Sequence, residues 1–369
     1  MNLLFPVAVI LFFAAVHYWS YARVVRHLHV GTVLRRLLYA LLLLNMLCVI
    51  GYIASRYAFS PPKALYFVLS LSIGTGFVLL VVTAAYELLR WMQRLTPFQE
   101  EKRAFFKRSS DMGFMALGGA YMGGGIYEGA KEPVVKHVDV VQHRFNARSY
   151  RIVQISDMHI GGLIDQAFVA QSVRVVNALK PDIVAITGDL SDAHISVVEA
   201  AVNELGNLKS RIGTYYVPGN HEYFHDIDAT LRHLQSLGIH LLGNRALKVE
   251  DFYIAGVYDL FGYRVDHHMP DITAAMHAIP KDAPSLLLAH QPKFIQHLEG
   301  YTPSLILSGH THGGQIWPFE YAVRLVQPYV KGLHALGDNR HIYVNSGIGF
   351  WGPAMRLGSQ AEITCISWS

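Results

Sequence analysis

Short apolar segments in the second half of the chain each end in aspartate, asparagine or histidine. Five such segments are QISDMHIGG, AITGDLSD, YVPGNHEY, LLLAHQP and LILSGHTHGG. The polar side chains that follow them are Asp157, His159, Asp189, Asn220, His221, His290, His310 and His312. Carboxylate, amide and neutral imidazole groups together suit borderline divalent ions such as manganese, iron or zinc. These residue types therefore predict a metal site.

The spacing of these residues indicates how they could share one site. In Asp-x-His and His-x-His on extended backbone, both side chains point to the same side, as in Asp157/His159 and His310/His312. The neighbouring glycines allow backbone and substrate to come close. Two ions about 3.5–4 Å apart can hold both the attacking and the leaving oxygen of a phosphoryl group. The pattern predicts a two-metal site for phosphoester hydrolysis.

Alternating strands and helices must position these side chains. From Tyr150 onward, strands are predicted at RIVQIS, DIVAITG, GTYYVPG, IHLLG, FYIAGVY, SLLLAH, SLILSG, HIYVNSG and EITCISW. Helices are predicted at QAFVAQSVRVVNALK, SVVEAAVNELGNL and DATLRHLQSLG. This alternation indicates an α/β fold with helices covering the sheet faces. Sites in open α/β sheets lie beyond the carboxyl ends of the strands, where these polar residues fall.

The five blocks, in this order, resemble the signature motifs of the calcineurin-like metallophosphoesterases over about residues 150–369. The segments GHTHGGQ and YVNSGIGFWGPAMRLGSQAEIT more narrowly resemble the membrane-associated bacterial branch of that superfamily. The resemblance implies a four-layer α/β sandwich of two mixed sheets, with a two-metal centre at the strand ends. It also implies a metal-dependent phosphoric ester hydrolase in which manganese is the first expectation and iron or zinc the alternatives.

The resemblance also implies a role for each site residue. It assigns three ligands to each ion and a bridging carboxylate: Asp157, His159 and His312 for one ion, Asn220, His290 and His310 for the other, and Asp189 between them. His221 would contact the phosphoryl oxygen and protonate the leaving group, while a water bridging the two metals attacks phosphorus. Asp192 either orients a ligand histidine or caps the following helix.

The first part of the chain differs from the rest in charge and hydropathy. Residues 1–150 contain 16 Lys/Arg and 7 Asp/Glu, whereas the remainder contains 15 and 20. Apolar runs over residues 3–21, 37–55 and 64–86 are long enough to cross a hydrocarbon core of about 30 Å. The basic residues lie between these runs, which predicts topology signals rather than nucleic-acid binding. We expect an all-α, multi-pass region in the cell membrane.

The distribution of Lys and Arg predicts cytoplasmic first and third loops and an external N-terminus. A weaker segment, MGFMALGGAYMGGGIY at 112–127, is expected to cross as a fourth span and to place the catalytic domain on the non-cytoplasmic face. Without that crossing, the domain would be cytoplasmic. The resulting division is a transmembrane region (1–130), a polar connector (131–149) and the phosphoesterase domain (150–369).

We expect hydrolysis of a phosphoester, either a phosphodiester or a lipid-linked phosphate, next to the lipid bilayer. One alternative is a pyrophosphate hydrolase for a nucleotide-linked lipid such as UDP-diacylglucosamine, which would require a cytoplasmic site. Another is a metal-binding scaffold module without turnover. With only Cys48 and Cys365, a disulfide framework and a cysteine-based zinc site are excluded. Neither a nucleic-acid partner nor a particular oligomeric state is predicted.

Several other residues have two possible roles. Three histidines either line the substrate cleft or lie in exposed loops: His225, His267 and His268. Arg356 either meets a phosphate or is structural. The aromatic segments IGFWGP and QIWPF either form an apolar lip that faces the bilayer or pack inside the domain.

Overall fold

A computed structural model describes residues 4–57, 59, 61–95, 100–142, 145 and 148–369. It divides into an N-terminal unit, residues 1–130 with 352–355, and a C-terminal unit, residues 131–351 with 356–369. The first residue of the first predicted span, Leu3, lies outside the described residues, as do parts of the predicted connector.

The N-terminal unit is built from long helices: α1 (Leu4–Arg23), α2 (Thr32–Ser55), α3 (Lys63–Leu95) and α4 (Glu100–Gly129). In the described part of the chain, three helical stretches are long and apolar enough to cross a membrane: Leu4–His27, Thr32–Ser55 and Lys63–Leu95. They contain the described residues of the three predicted spans. Helix α4 contains 112–127 but is not among these three, and its 16-residue uncharged stretch is only about 24 Å long as a helix.

The C-terminal unit alternates strands and helices. Its strands are β1 (Val134–Val140), β2 (Tyr150–Ile155), β3 (Ile183–Thr187), β4 (Gly213–Val217), β5 (His240–Leu241), β6 (Arg245–Val249), β7 (Phe252–Gly256), β8 (Ser285–Leu288), β9 (Leu305–Ser308), β10 (Gly332–Gly337), β11 (Arg340–Val344) and β12 (Glu362–Trp368). Its α-helices are α5 (Gln166–Ala178), α6 (Ile195–Asn203), α7 (Ile227–Ser236), α8 (Gly262–Val265), α9 (Ile272–Met276) and α10 (Phe319–Val323).

Two six-stranded sheets form the centre of this unit. One has the order β1-β12-β2-β3-β4-β5 and the other β10-β11-β9-β8-β7-β6. Both are mixed: β2, β3 and β4 run parallel while β12 and β2 are antiparallel, and β7, β8 and β9 run parallel while β6 and β7 are antiparallel. The predicted α/β fold with two mixed sheets is confirmed.

The layering follows from the period-two alternation of side chains along each strand. In β3, Ile183 and Ala185 pack in the apolar core that also contains side chains of the second sheet, whereas Val184 and Ile186 pack against α5, α6 and α7. In the second sheet, Leu287 points to a third core that includes residues of α9. Because both faces of the central strands are buried, their sequences are continuously apolar.

Three strands were not predicted. Strand β1 lies in the segment interpreted as a connector, and it pairs in parallel with β12 from Val134 opposite Glu362 to Val140 opposite Trp368. Strands β6 and β10 form the outer strands of the second sheet. All three lie at sheet edges, where alternating polar and partly exposed side chains give no continuous apolar run.

Candidate metal centre

The five predicted loops leave the carboxyl ends of strands in both sheets. Strands β2, β3 and β4 precede three of them, and β8 and β9 precede the other two. Asp189, His290 and His312 are all buried at this edge. The two sheets therefore bring together side chains that lie up to 155 residues apart in the sequence.

Several residues of these loops have strained backbone conformations. Five non-glycine site residues have positive φ angles: Asp157 (53°), His159 (51°), Asp189 (50°), His310 (70°) and His312 (49°). Such conformations are costly outside glycine and persist where surrounding structure enforces them, often at functional sites. Glycine is required nearby, because a Cβ at Gly309 or Gly219 would collide with the carboxylate of Asp157 or Asp189.

One group of potential ligands consists of Asp157, His159 and His312. Each offers a ligand atom within 4.8 Å of the others. His159 Nε2 lies 3.0 Å from His312 Nε2, and His312 Nε2 lies 3.5 Å from Asp157 Oδ1. Two imidazole nitrogens and a carboxylate oxygen that converge in this way form a suitable set for a divalent ion.

A second group consists of Asp189, His290 and His310, with the same mutual proximity. His290 Nδ1 donates to the Thr187 carbonyl (2.7 Å), so its Nε2 is left as the potential ligand atom, 3.3 Å from Asp189 Oδ2. Asp189 Oδ2 also lies 3.9 Å from His159 Nε2. Asp189 thus lies between the two groups.

Unsatisfied polar atoms indicate that these groups suit metal ions. Among the described residues, three buried atoms that could bind an ion lack a hydrogen-bond partner: Asn220 Oδ1, His290 Nε2 and His310 Nδ1. Buried polar atoms without partners are costly and rare. Divalent cations would satisfy such lone pairs, and the donor types match those that manganese, iron and zinc accept.

Asp192 holds two of the site histidines. Its Oδ1 lies 2.7 Å from Nδ1 of His159 and 2.7 Å from Nδ1 of His221. A carboxylate only accepts, so both rings donate from Nδ1 and keep Nε2 for the site. Helix α6 is capped by His194 instead. Of the two predicted roles of Asp192, orientation of histidine is therefore the one the structure supports.

The electrostatic environment keeps several of the imidazoles neutral. Burial and the His290 charge lower the pKa of His310 to about 3. Burial, with His159 and Arg356 nearby, lowers the pKa of His312 well below its usual value. Burial opposes ionisation of Asp189, but the positive charges of His290 and His221 hold its pKa well below the usual range. Neutral imidazoles and an ionised carboxylate are the forms that bind metals, so His310, His312 and Asp189 are already in those forms. Burial lowers the pKa of His290, but the charges of Asp189 and Asp157 outweigh it and raise that pKa, so His290 must release a proton when an ion binds.

Glu222 is a site residue whose role the sequence analysis missed. Its buried carboxylate accepts from the backbone N–H groups of Gly219 (2.6 Å), Leu190 (2.7 Å) and Asp189 (3.1 Å). It therefore ties the loop after β3 to the loop after β4. Burial and the Asp189 charge raise its pKa. The only sequence signal was an acidic residue directly after His221.

Arg356 and three further histidines, each with two predicted roles, lie outside the two ligand groups. Arg356 is buried, and its Nη2 donates to the carbonyls of Ser346, Gly347 and Gly349, which is a structural role. His225 is half-buried. His267 and His268 instead form a separate cluster with Asp228.

The aromatic segments are not fully packed inside the domain. Trp317 is 50% exposed and Trp351 is 51% exposed. Gln315 joins their loops, because its Nε2 donates to the Trp351 carbonyl and its Oε1 accepts from the Trp351 N–H. Gln315 follows the predicted ligand His312 by three residues, so these tryptophans flank the same loop as the metal centre.

Comparisons with known proteins agree with this geometry. A family model described as calcineurin-like phosphoesterase matches residues 150–314. A protein of Helicobacter pylori described as an uncharacterized metallophosphoesterase is 35% identical over 306 residues, which cover 83% of this chain and 82% of the relative. A metallophosphoesterase of Campylobacter jejuni is 37% identical over 238 residues, covering 64% and 63%.

Similar proteins also occur in animals. A Bos taurus protein described as a transmembrane protein with metallophosphoesterase domain is 38% identical over 257 residues, which cover 65% of this chain and 58% of the relative. Relatives of this chain therefore occur in animals as well as in bacteria, so the similarity extends beyond the bacterial branch.

Proposed function

This chain belongs to the calcineurin-like phosphoesterase family, and on that premise we propose that its metal-dependent phosphoesterase site holds two ions. The observation that carries this proposal is the position of Asp189 between two groups of ligand atoms. The proposed ligands are Asp157, His159 and His312 for one ion, Asn220, His290 and His310 for the other, and Asp189 for both. Bound divalent ions would supply Lewis-acid activation and neutralise charge on the phosphoryl group.

His221 is the proposed proton donor. Its Nδ1 is held by Asp192, and its Nε2 lies 3.9 Å from Asp189 Oδ2, at the edge of the proposed centre. Its backbone N–H donates to Asp189 Oδ1 (2.9 Å), which fixes the ring next to the reacting group. A protonated Nε2 would stabilise a phosphoryl oxygen and then protonate the leaving oxygen.

The leaving group is proposed to carry an apolar, lipid-like moiety. The Phe224 ring packs edge-on against His221 (5.5 Å between centroids) and against Phe261 (4.9 Å). Phe224 is nevertheless 53% exposed. An exposed aromatic surface beside the proposed proton donor favours a substrate with an apolar leaving group. The three candidate membrane helices in the same chain make a phosphoester at a bilayer surface the best-supported class.

Hydrolysis by the full chain in detergent micelles tests this function. We would compare a chromogenic phosphodiester, a phosphomonoester and a short-chain phospholipid, each with manganese, for the wild type, His221→Ala and the exposed-histidine control His277→Ala. We expect manganese-dependent turnover that falls about 10²–10⁴-fold in His221→Ala, as for loss of a general acid. Bound manganese should be unchanged.

Each other result has a definite meaning. Two bound ions per chain without turnover of any phosphoester would favour the scaffold alternative. Equal turnover in His221→Ala and the wild type would remove His221 from the proposed mechanism. Faster turnover of the soluble diester than of the phospholipid would contradict the apolar substrate class while leaving the two-metal centre intact.

We also propose that the uncharged stretch 112–127 of α4 crosses the membrane as a fourth span, so that the active site faces away from the cytoplasm. The support is the excess of Lys and Arg in the first and third loops, which favours a cytoplasmic start for α4. Cys48 is half-buried and Cys365 is buried, so a cysteine introduced at the exposed Asp338 would provide a distinct label site. Labelling of Asp338→Cys by a membrane-impermeant maleimide in intact cells would support the external site. Labelling only after lysis would place the site in the cytoplasm, as a nucleotide-linked lipid substrate requires.

A further inference from the structure

A second cluster of histidines and aspartate lies apart from the proposed catalytic ligands. Asp228 is the second residue of α7, while His267 and His268 follow α8. His267 Nε2 donates to Asp228 Oδ2 (3.0 Å), and His268 Nε2 donates to Asp228 Oδ1 (2.7 Å). The three side chains offer ligand atoms within 4.8 Å of one another. Two elements distant in sequence thus direct imidazole and carboxylate groups at one point.

The loop holds the two adjacent histidines in an unusual arrangement. Neighbouring side chains on extended backbone point in opposite directions, but here both rings face one carboxylate, with centroids 4.2 Å apart. Asp266 (φ 51°) and His268 (φ 46°) are both in the left-handed region, and this turns the chain back on itself. The structure maintains this costly conformation outside the catalytic loops.

Contacts around His268 fix its position. The Tyr223 hydroxyl donates to the His268 carbonyl (2.7 Å), and the Tyr258 ring packs on the His268 ring at 4.5 Å. The backbone and the ring of His268 are therefore both held in place, with Nε2 directed at Asp228. His267 and Asp228 remain about half exposed, which leaves room for a water molecule as a further ligand.

We propose that Asp228, His267 and His268 form a third metal site, which binds a borderline divalent ion of the zinc type. Zinc accepts two imidazole nitrogens and a carboxylate oxygen at about 2.0–2.2 Å, with an open fourth position. Ligand atoms already 2.7–3.0 Å apart need to separate only slightly around such an ion. Binding would replace the two Nε2 protons with the ion and join α7 to the loop after α8.

Zinc content of the full chain in detergent micelles tests this site. The background variant Asp157→Asn with Asp189→Asn weakens the buried centre and leaves the third site unchanged. After equilibrium dialysis against zinc chloride, we expect this variant to retain about one ion per chain. Adding His268→Ala or Asp228→Asn should remove that ion, whereas adding the exposed-histidine control His277→Ala should not.

The result that would overturn the proposal is zinc retention that His268→Ala and Asp228→Asn both leave unchanged. Absence of bound zinc from the background variant would overturn it as well. If the background variant does not fold, the same substitutions are made in the wild type. There each should lower the zinc content by about one ion, while activity with manganese remains. This readout is independent of the proposed hydrolysis.

Discussion

The two Asp/His clusters of the C-terminal unit use the same kinds of side chain but differ in burial. The proposed metal centre is called the catalytic cluster below and consists of Asp157, His159, Asp189, Asn220, His290, His310 and His312. In it, the side chains of Asp189 and His290 are 3% and 0% exposed. The surface cluster consists of Asp228, His267 and His268. In it, the side chains of Asp228 and His267 are 45% and 51% exposed. Solvent can satisfy the second set, whereas the first retains lone pairs without partners. Burial therefore makes the catalytic cluster much more dependent on bound cations than the surface cluster.

The pKa shifts of Asp157 and Asp228 have different causes. Burial raises the pKa of Asp157 in the catalytic cluster. In the surface cluster, the hydrogen bond from His268 lowers the pKa of Asp228 against the effect of burial, and the hydrogen bond from His267 adds to this lowering. The pKa values of Asp157 and Asp228 are thus shifted in opposite directions, because desolvation dominates at Asp157 and the histidine partner at Asp228. Asp189 is buried as well, but the charges of His290 and His221 lower its pKa as His268 lowers that of Asp228.

The largest expected effect comes from neutralising one aspartate in each cluster. Asp189→Asn should lower kcat/KM for a phosphodiester by at least about 10³-fold, since electrostatic stabilisation of the transition state is lost. Asp228→Asn should change it by less than about twofold, because surface changes away from the reacting groups have small effects. Steady-state kinetics with manganese measure both. Comparable losses in the two variants would contradict the division between clusters.

A smaller effect is expected from the carboxylate that positions two histidines. Asp192→Ala removes the acceptor of both His159 and His221, so metal affinity or kcat should fall about 10–100-fold. The matched control is Asp226→Ala, which removes the N-cap of α7 and should cost only about 1 kcal/mol of stability.

The pH profile separates positioning by Asp192 from a purely structural role. Without Asp192, the protonated form of His221 loses a stabilising carboxylate. The apparent pKa of the alkaline limb of the kcat profile should therefore fall, which moves that limb to lower pH. An unchanged profile and unchanged metal affinity in Asp192→Ala would show that the two hydrogen bonds do not organise the site.

The catalytic cluster was easier to predict than its surroundings for a physical reason. Its proposed ligands follow buried parallel strands, and such strands produce continuous apolar runs that end abruptly in polar residues. Edge strand β1, with the sequence VVKHVDV, alternates and is only partly buried, so it resembled a connector. The contacts of Glu222 with four backbone N–H groups depend on two loops that meet only in the folded chain.

The proximity of the three surface-cluster residues was not predicted from the sequence, for a related reason. His267 and His268 were recognised as candidates, but Asp228 is 39 residues before His267 and lies within a helical pattern. The helical pattern does not distinguish an exposed residue that hydrogen-bonds to two imidazoles from one that hydrogen-bonds to water. Tertiary proximity of partly exposed residues leaves no periodic signal, whereas strand-end placement does.

A further contrast is expected in the pH dependence of stability. Asp259 is buried, with Oδ1 bonded to the Phe261 N–H and to Gln291, and burial raises its pKa to about 6. Its folded pKa exceeds the unfolded value of about 4, so stability falls by about 3 kcal/mol as pH rises through this interval. Asp259→Asn should flatten that dependence in urea unfolding between pH 4 and 7.

The contribution of Asp228 to stability changes with pH in the opposite direction. Its pKa is lowered in the folded chain, so its contribution is present above pH about 4 and is lost as pH falls through the folded value. Asp228→Asn should therefore leave the pH 4–7 dependence as in the wild type. The contrast fails if Asp228→Asn and Asp259→Asn alter that dependence to the same extent.

The smallest expected effect is that of His268→Ala on stability without added metal. The ring is partly exposed and its hydrogen bond to Asp228 competes with water, so the loss should stay within about 0.5 kcal/mol. With zinc at about 100 times its Kd, the wild type should gain about 2.7 kcal/mol from binding, and the variant should lose that gain. Thermal unfolding with and without zinc measures the difference. A large loss in metal-free buffer would instead mean that His268 stabilises the loop by packing on Tyr258, and the two clusters would then differ in what the histidines do as well as in burial.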